Sequence, residues 1–205
     1  MQVKICGIVD PEDGLFAINS GANAIGLVFC SNSKRKVNIE IAQSIIASLP
    51  CFKNIVGLFQ DQDQDEVLEI LNKVPLNILQ FHGSESFQYC ESFNRPYIKA
   101  FFPKDDLIEN NPSFLNSNLM FAVLADSGSG SGEIFDWKKF INKNQGISKK
   151  PLILAGGLNP ENVAEAIKIV KPQAVDVSSG VESELHPPRK DHNKIKQFIS
   201  NALKS

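Results

Sequence analysis

The sequence predicts an α/β fold, a single (β/α)8 barrel of the TIM type, on three observations. Short β-rich apolar runs recur eight times with amphipathic helical patterns between them, reactive side chains stand where several of those runs end, and glycine-rich loops follow the last two. Strands that alternate with helices pair in parallel, because parallel strands need long crossovers. An open doubly wound sheet fits the same alternation, and it is the count and spacing of the runs that favour closure. With 205 residues, 42% of them hydrophobic, the chain can bury one core and is expected to form one domain over 1–205. That length is at the short end for an eight-fold barrel.

The expected strands cover residues 2–6, 24–29, 54–59, 77–81, 97–101, 120–125, 152–155 and 173–178. Several are apolar nearly throughout, as strands buried on both faces are. Between them, 11–20, 39–49, 64–73, 86–93, 135–142, 160–170 and 190–203 carry apolar residues at three- and four-residue spacing. Asp10-Pro11-Glu12-Asp13 places a capping aspartate before a proline at a helix start, and Asn159-Pro160-Glu161-Asn162 repeats the device. Residues 103–119, rich in Asn and Asp with Pro112, predict a shortened or irregular fifth crossover. Ser127-Gly128-Ser129-Gly130-Ser131-Gly132 has the composition of a tether. It joins a strand ending in Asp126 to a helix start at Phe135-Asp136-Trp137, which reads instead as a mobile loop over a site.

Composition narrows the partners. A formal net charge of -2 argues against nucleic acid and anionic membranes, which need a concentrated basic face, so the expected ligand is small. Cys6, Cys30, Cys51 and Cys90 form no C-x-x-C pair and suit a reducing compartment. The chain opens with no export signal and has no run of about 18 apolar residues, so a soluble cytoplasmic protein is expected. Its oligomeric state is left open, with a monomer favoured.

A barrel gathers its strand C-termini on one face, so Cys6, Arg35, His82, Asp126, Asp176 and the late glycines should converge. Cys6 ends the first run; taken alone it reads first as a buried thiol packing as a small hydrophobe, and it is the rest of the chain that points to chemistry. Gly156-Gly157 after the seventh run and Ser178-Ser179-Gly180 after the eighth stand where such barrels hold a phosphate on backbone N–H groups. Arg35, within Ser33-Lys34-Arg35-Lys36, is either a surface cation or a planar partner for a substrate carboxylate. His82 orients substrate or caps its loop. No His/Cys/Glu set has metal-ligand spacing, and His186 and His192 flank an exposed-looking Pro187-Pro188-Arg189-Lys190-Asp191 stretch, so a metal-free site is expected.

Taken together, Lys4-Ile5-Cys6-Gly7-Ile8, the Gly21–Phe29 stretch, Ser33-Lys34-Arg35, Gln80-Phe81-His82-Gly83, Asp126 with its Ser-Gly loop, Ala155-Gly156-Gly157-Leu158-Asn159-Pro160-Glu161-Asn162 and Asp176-Val177-Ser178-Ser179-Gly180-Val181-Glu182 resemble the phosphoribosylanthranilate isomerases of tryptophan biosynthesis. The resemblance runs nearly end to end. It departs at His186-Pro187-Pro188-Arg189-Lys190-Asp191, where the family usually has Pro-Gly before a basic-Lys-Asp motif, and at Lys34, where Ser-Pro-Arg is common. Both departures lie in loops and bear on loop shape more than on chemistry.

The resemblance implies an Amadori rearrangement without a cofactor, in which Asp126 is the general acid on the ring oxygen and Cys6 the general base on the adjacent carbon. A free thiol is only a few per cent thiolate at neutrality, so Cys6 would benefit from Lys4 or Arg35 nearby. It also implies that Arg35 meets the anthranilate carboxylate, that Gly156, Gly157, Ser178, Ser179 and Gly180 bind phosphate, and that Asp176 steadies the ring-opened intermediate. A histidine-pathway isomerase on the same barrel characteristically uses two aspartates, against which Cys6 stands. A Schiff-base aldolase would need a strand-end lysine; Lys99 is the tempting one and reads as an outward or rim residue. A phosphate-ligand sensor without chemistry would need neither Cys6 nor Asp126.

Overall fold

In the computed structural model, which describes residues 1–102, 112–127 and 150–205, eight parallel strands close in sequence order, the first bonded to the last. They are β1 (Gln2–Cys6), β2 (Ala24–Val28), β3 (Asn54–Phe59), β4 (Ile78–Phe81), β5 (Tyr97–Phe101), β6 (Met120–Ala125), β7 (Leu152–Leu154) and β8 (Ala174–Val177). The described helices are α1 (Pro11–Asn19), α2 (Ile39–Ser48), α3 (Gln64–Lys73), α4 (Phe87–Ser92), α5 (Pro112–Asn116), α6 (Val163–Val170) and α7 (His192–Lys204), with a 3-10 turn at Ser179–Val181. None of them is long and apolar enough to cross a membrane.

The strands fall within about a residue of their expected limits because alternation fixes them: side chains one apart face opposite sides. Val3 and Ile5 of β1 pack outward among helix residues such as Ala17, Ile195 and Phe198. Lys4 and Cys6 occupy the other face. The barrel interior is apolar at mid-height, where Val56, Ile98, Ala122, Leu124 and Ile153 meet, and polar only towards the strand C-termini.

The N-terminal ends share a repeated device. Asn23, just before β2, accepts the Val3 N–H at 2.9 Å and returns its own N–H to the Val3 carbonyl at 2.8 Å. Asn77 does the same with Ile55 before β4, and Gln173 with Leu152 before β8. Each pair satisfies backbone groups that the ladder leaves over at a strand start.

Two helix starts test the capping expectations. Asp10 accepts the Glu12 N–H at 2.9 Å, as its sequence implies. The Asn159-Pro160 start is corrected: α6 begins at Val163, three residues later than expected. Asn159 accepts from Glu161 and Asn162 while Asn162 Oδ1 accepts from Asn159, so the two side chains lock a turn instead of opening a helix. The last helix likewise begins at His192, capped by Asp191, not at 190. In the fifth crossover, α5 is a five-residue helix; residues 103–111, the Ser-Gly segment from 128 and the helix expected at 135–142 lie outside the described residues.

Candidate active site

At the C-terminal end of the barrel the strands open on a cavity of about 420 Å³. Cys6, Arg35, His82, Asp126, Gly156, Gly157, Asp176, Ser178 and Ser179 all line it, Cys6 and Asp176 from strands and the others from the loops that follow strands. Gly180 does not. A Cβ there would collide with the Leu158 carbonyl, so Gly180 lets the loop after β8 pack on the loop after β7. The first of those loops turns at Gly156 and Gly157, whose φ values of 78° and 68° are ones that side-chain-bearing residues rarely adopt.

Cys6 is seated by glycines on both sides. The Gly7 and Ile8 N–H groups both donate to the Gly26 carbonyl, at 2.9 and 3.0 Å, which ends β1 in a fixed turn at φ 71°. Across from it, a Cβ on Gly26 would come 2.6 Å from the Cys6 sulfur. Beneath Cys6, Lys4 Nζ donates to Asp176 Oδ2 at 2.9 Å, both side chains almost wholly buried. Burial works to lower the Lys4 titration point, but Asp176 first and Cys6 second hold it above the usual lysine range. For Cys6 the balance falls the other way: burial drives the thiol above its ordinary range, and Lys4 offsets only part of that rise. The expected help from Lys4 is real in direction and smaller than the desolvation, so the resting group is a thiol. Arg35 is not among its principal charge neighbours.

Asp176 accepts from Lys4, while its Oδ1 is buried with no hydrogen-bond partner. Asp126, at the end of β6, places Oδ2 3.8 Å from His82 Nε2. Gln80 stands within 3.2 Å of the other ring nitrogen, and Phe102 meets the ring edge-on. Desolvation lowers the His82 titration point against the pull of Asp126, so the imidazole is neutral at physiological pH. Lys99 lies on the outward face of β5, yet it is buried: its Nζ donates to the Gly83 carbonyl at 2.6 Å and pairs with Glu85 at 3.0 Å. Glu85 also accepts the Gly83 and Asp61 N–H groups, which braces the loop that carries His82.

Several functional positions have no isolated signal in the sequence. Gly26, Lys4 and Gln80 are strand residues whose interior facing follows from alternation once the register is known. Glu182 pairs with Arg35 across 147 positions of chain, a partnership no local pattern encodes. The exposed-looking stretch before α7 is corrected at Lys190, which is 5% exposed and donates to the Ser178 carbonyl at 3.1 Å. All four cysteines are free, Cys51 alone being exposed.

A family model described as N-(5'phosphoribosyl)anthranilate (PRA) isomerase matches residues 3–201. The N-(5'-phosphoribosyl)anthranilate isomerase of Pseudomonas fluorescens strain Pf0-1 is 48% identical over 204 residues, covering 98% of this chain and 97% of the relative. That of Neisseria gonorrhoeae strain FA 1090 is 43% identical, covering 98% and 96%. Among solved structures, the phosphoribosyl anthranilate isomerase crystallised with reduced 1-(o-carboxyphenylamino)-1-deoxyribulose 5-phosphate aligns over 100% of both chains at 40% identity, with a TM-score of 0.83. The Thermus thermophilus enzyme aligns over 100% and 99% at 33% identity, with a TM-score of 0.87.

Proposed function

The chain belongs to the N-(5'-phosphoribosyl)anthranilate isomerase family, and from that premise we propose how its own residues carry the reaction. It is an isomerase of tryptophan biosynthesis that converts N-(5-phosphoribosyl)anthranilate to 1-(2-carboxyphenylamino)-1-deoxyribulose 5-phosphate. Asp126 gives a proton to the ring oxygen, the bond from that oxygen to the anomeric carbon breaks, and a protonated imine forms. Cys6, acting through the minor thiolate form of its resting thiol, takes the proton from the neighbouring carbon and leaves a neutral enol-amine; the enol hydroxyl then gives up its proton as the former anomeric carbon gains one, and the aminoketone results. Protons move and no net oxidation occurs, so the reading needs no cofactor.

The observation that carries this reading is the shared cavity: a thiol from the end of β1 and a carboxyl from the end of β6 face the same space. The phosphate belongs at Gly156, Gly157, Ser178 and Ser179, which line the cavity on the loops after β7 and β8, while Gly180 holds those two loops together. Arg35 takes the anthranilate carboxylate. His82, neutral and held by Gln80, orients the substrate beside Asp126. Asp176, with one oxygen on Lys4, steadies the ring-opened intermediate. One domain, present as a monomer in the cytoplasm, completes the proposal; four free cysteines suit a reducing compartment. Light scattering tests the monomer against its 22.6 kDa mass.

The reaction is tested with freshly formed phosphoribosylanthranilate by following loss of its anthranilate-type fluorescence. The wild type is expected to outrun spontaneous hydrolysis while a Cys6→Ala/Asp126→Ala variant does not. Equal rates in both proteins would overturn the assignment of this pair.

A further inference from the structure

Three cations meet at Glu182, and no step of the reaction above uses it. The residue follows the 3-10 turn and is 7% exposed. Its Oε1 accepts from Arg35 Nε, and its Oε2 lies 3.0 Å from Lys34 Nζ. Lys190 Nζ stands 3.6 Å from Oε1. Burial works against the charge of Glu182, but the Arg35 hydrogen bond and Lys190 outweigh it and hold the carboxyl below the usual carboxylate range. Lys34 adds a further lowering hydrogen bond, which solvent screening weakens because its side chain is more than half exposed.

Arg35 is fixed from two sides. Its methylene stem lies against Gly7, where a Cβ would come 2.5 Å from Cδ, directly beside the Cys6 turn. Its Nε is taken by Glu182. A guanidinium carries five donors in a rigid fork, so engagement at Nε leaves the end-on edge, the two terminal amino groups, for a second planar carboxylate in the cavity that Arg35 lines.

Glu182 is itself braced from behind. The backbones of Glu182 and Lys190 form an antiparallel bridge, and the Lys190 N–H donates to Asp13 Oδ2 of α1 at 2.9 Å. Arg189 Nε reaches the same buried carboxylate at 2.8 Å. The segment that delivers Lys190 to Glu182 is therefore clamped to α1.

We propose that Glu182 is a positioning residue that holds the Arg35 guanidinium end-on to the substrate's aromatic carboxylate, with Lys190 fixing Glu182 in turn. This rests on the reading of Arg35 given above, and the two are separable by experiment. Calorimetric titration compares reduced 1-(o-carboxyphenylamino)-1-deoxyribulose 5-phosphate with its phenylamino counterpart that lacks the carboxylate. The wild type is expected to prefer the carboxylated ligand by about tenfold or more, as one charge-assisted hydrogen-bond pair implies. Arg35→Ala erases that preference. Glu182→Gln cuts it to within about threefold and leaves affinity for the carboxylate-free ligand unchanged.

Equal weakening of both ligands in Glu182→Gln, or a preference kept in full, overturns the positioning role. A preference that survives Arg35→Ala overturns the reading of Arg35 instead. Should Glu182→Gln fail to fold, side-chain NMR of the wild type decides: the Arg35 Nε–H is expected to stay protected from solvent exchange with and without the carboxylated ligand. Loss of protection on binding would mean that the Glu182 contact is broken rather than used.

Discussion

At the N-terminal end of the barrel, Asn23, Asn77 and Gln173 each trade two hydrogen bonds with the strand before them, and every group involved is satisfied. At the C-terminal end, Asp176 Oδ1 and Gln80 Oε1 are buried without partners, Lys4 and Lys190 are buried as cations, and glycines replace side chains beside Cys6. The two ends bound one sheet and sit on one apolar interior. What differs is the use made of polarity. The first end spends its polar groups on closing strands, with short local partners. The second holds polar groups that the fold alone does not need, and buried polar atoms left over in this way mark a surface prepared for something else.

The contrast is broken most sharply by removing the charge pair beneath Cys6. Lys4→Met is expected to cost about 3–5 kcal/mol in urea unfolding, because Asp176 is left buried and uncompensated. Adding Asp176→Leu should recover most of that stability and none of the turnover. If the double variant recovers neither, the pair is structural and the contrast fails. Gly26→Ala comes next: displacing the Cys6 sulfur is expected to lower kcat/KM about 100-fold, with far less effect on product-analogue affinity. A smaller loss, in both measurements alike, would mean the strand simply shifts.

At the other end, Asn23→Ala leaves the Val3 N–H without its partner and should cost about 1–3 kcal/mol of stability with kcat/KM unchanged. A change in kcat/KM there would show that the ends are coupled. The last effect is read against pH. Burial lowers Lys190 from 10.5 to about 8, with Glu182 and Cys6 opposing and Arg35 adding to the fall. Between those values the unfolded chain binds the extra proton, so stability should rise as pH climbs from about 8 to about 10.5 and stay flat below. Lys190→Met should lack that rise, and parallel curves for the two proteins would contradict the burial of a charged lysine.

The same contrast explains what could be read from the sequence. Strand ends were legible because apolar runs stop within a residue of where the ladder stops, and Cys6 and Asp126 stand at two of those stops. The closing Asn residues were not, since an Asn before a strand looks like any turn. Nor was the Arg35–Glu182 pair, whose partners are brought together only by closure of β8 on β1. The start of α6 was misplaced because Asn159-Pro160 carries the residues of a helix cap and uses them for a side-chain-locked turn. Lys190 is hidden by its surroundings: its polar neighbours read as surface, whereas its backbone is clamped to Asp13 and its side chain runs inward to Ser178 and Glu182.

Proton transfer by Cys6 is the role proposed for the residue around which the C-terminal end is arranged. The measurement that tests it most directly is turnover of phosphoribosylanthranilate by Cys6→Ser, in protein whose affinity for the reduced product analogue matches the wild type. A fall of about 10²–10⁴-fold is expected, the contribution of a positioned acid–base group. Turnover at the wild-type rate would remove Cys6 from the mechanism.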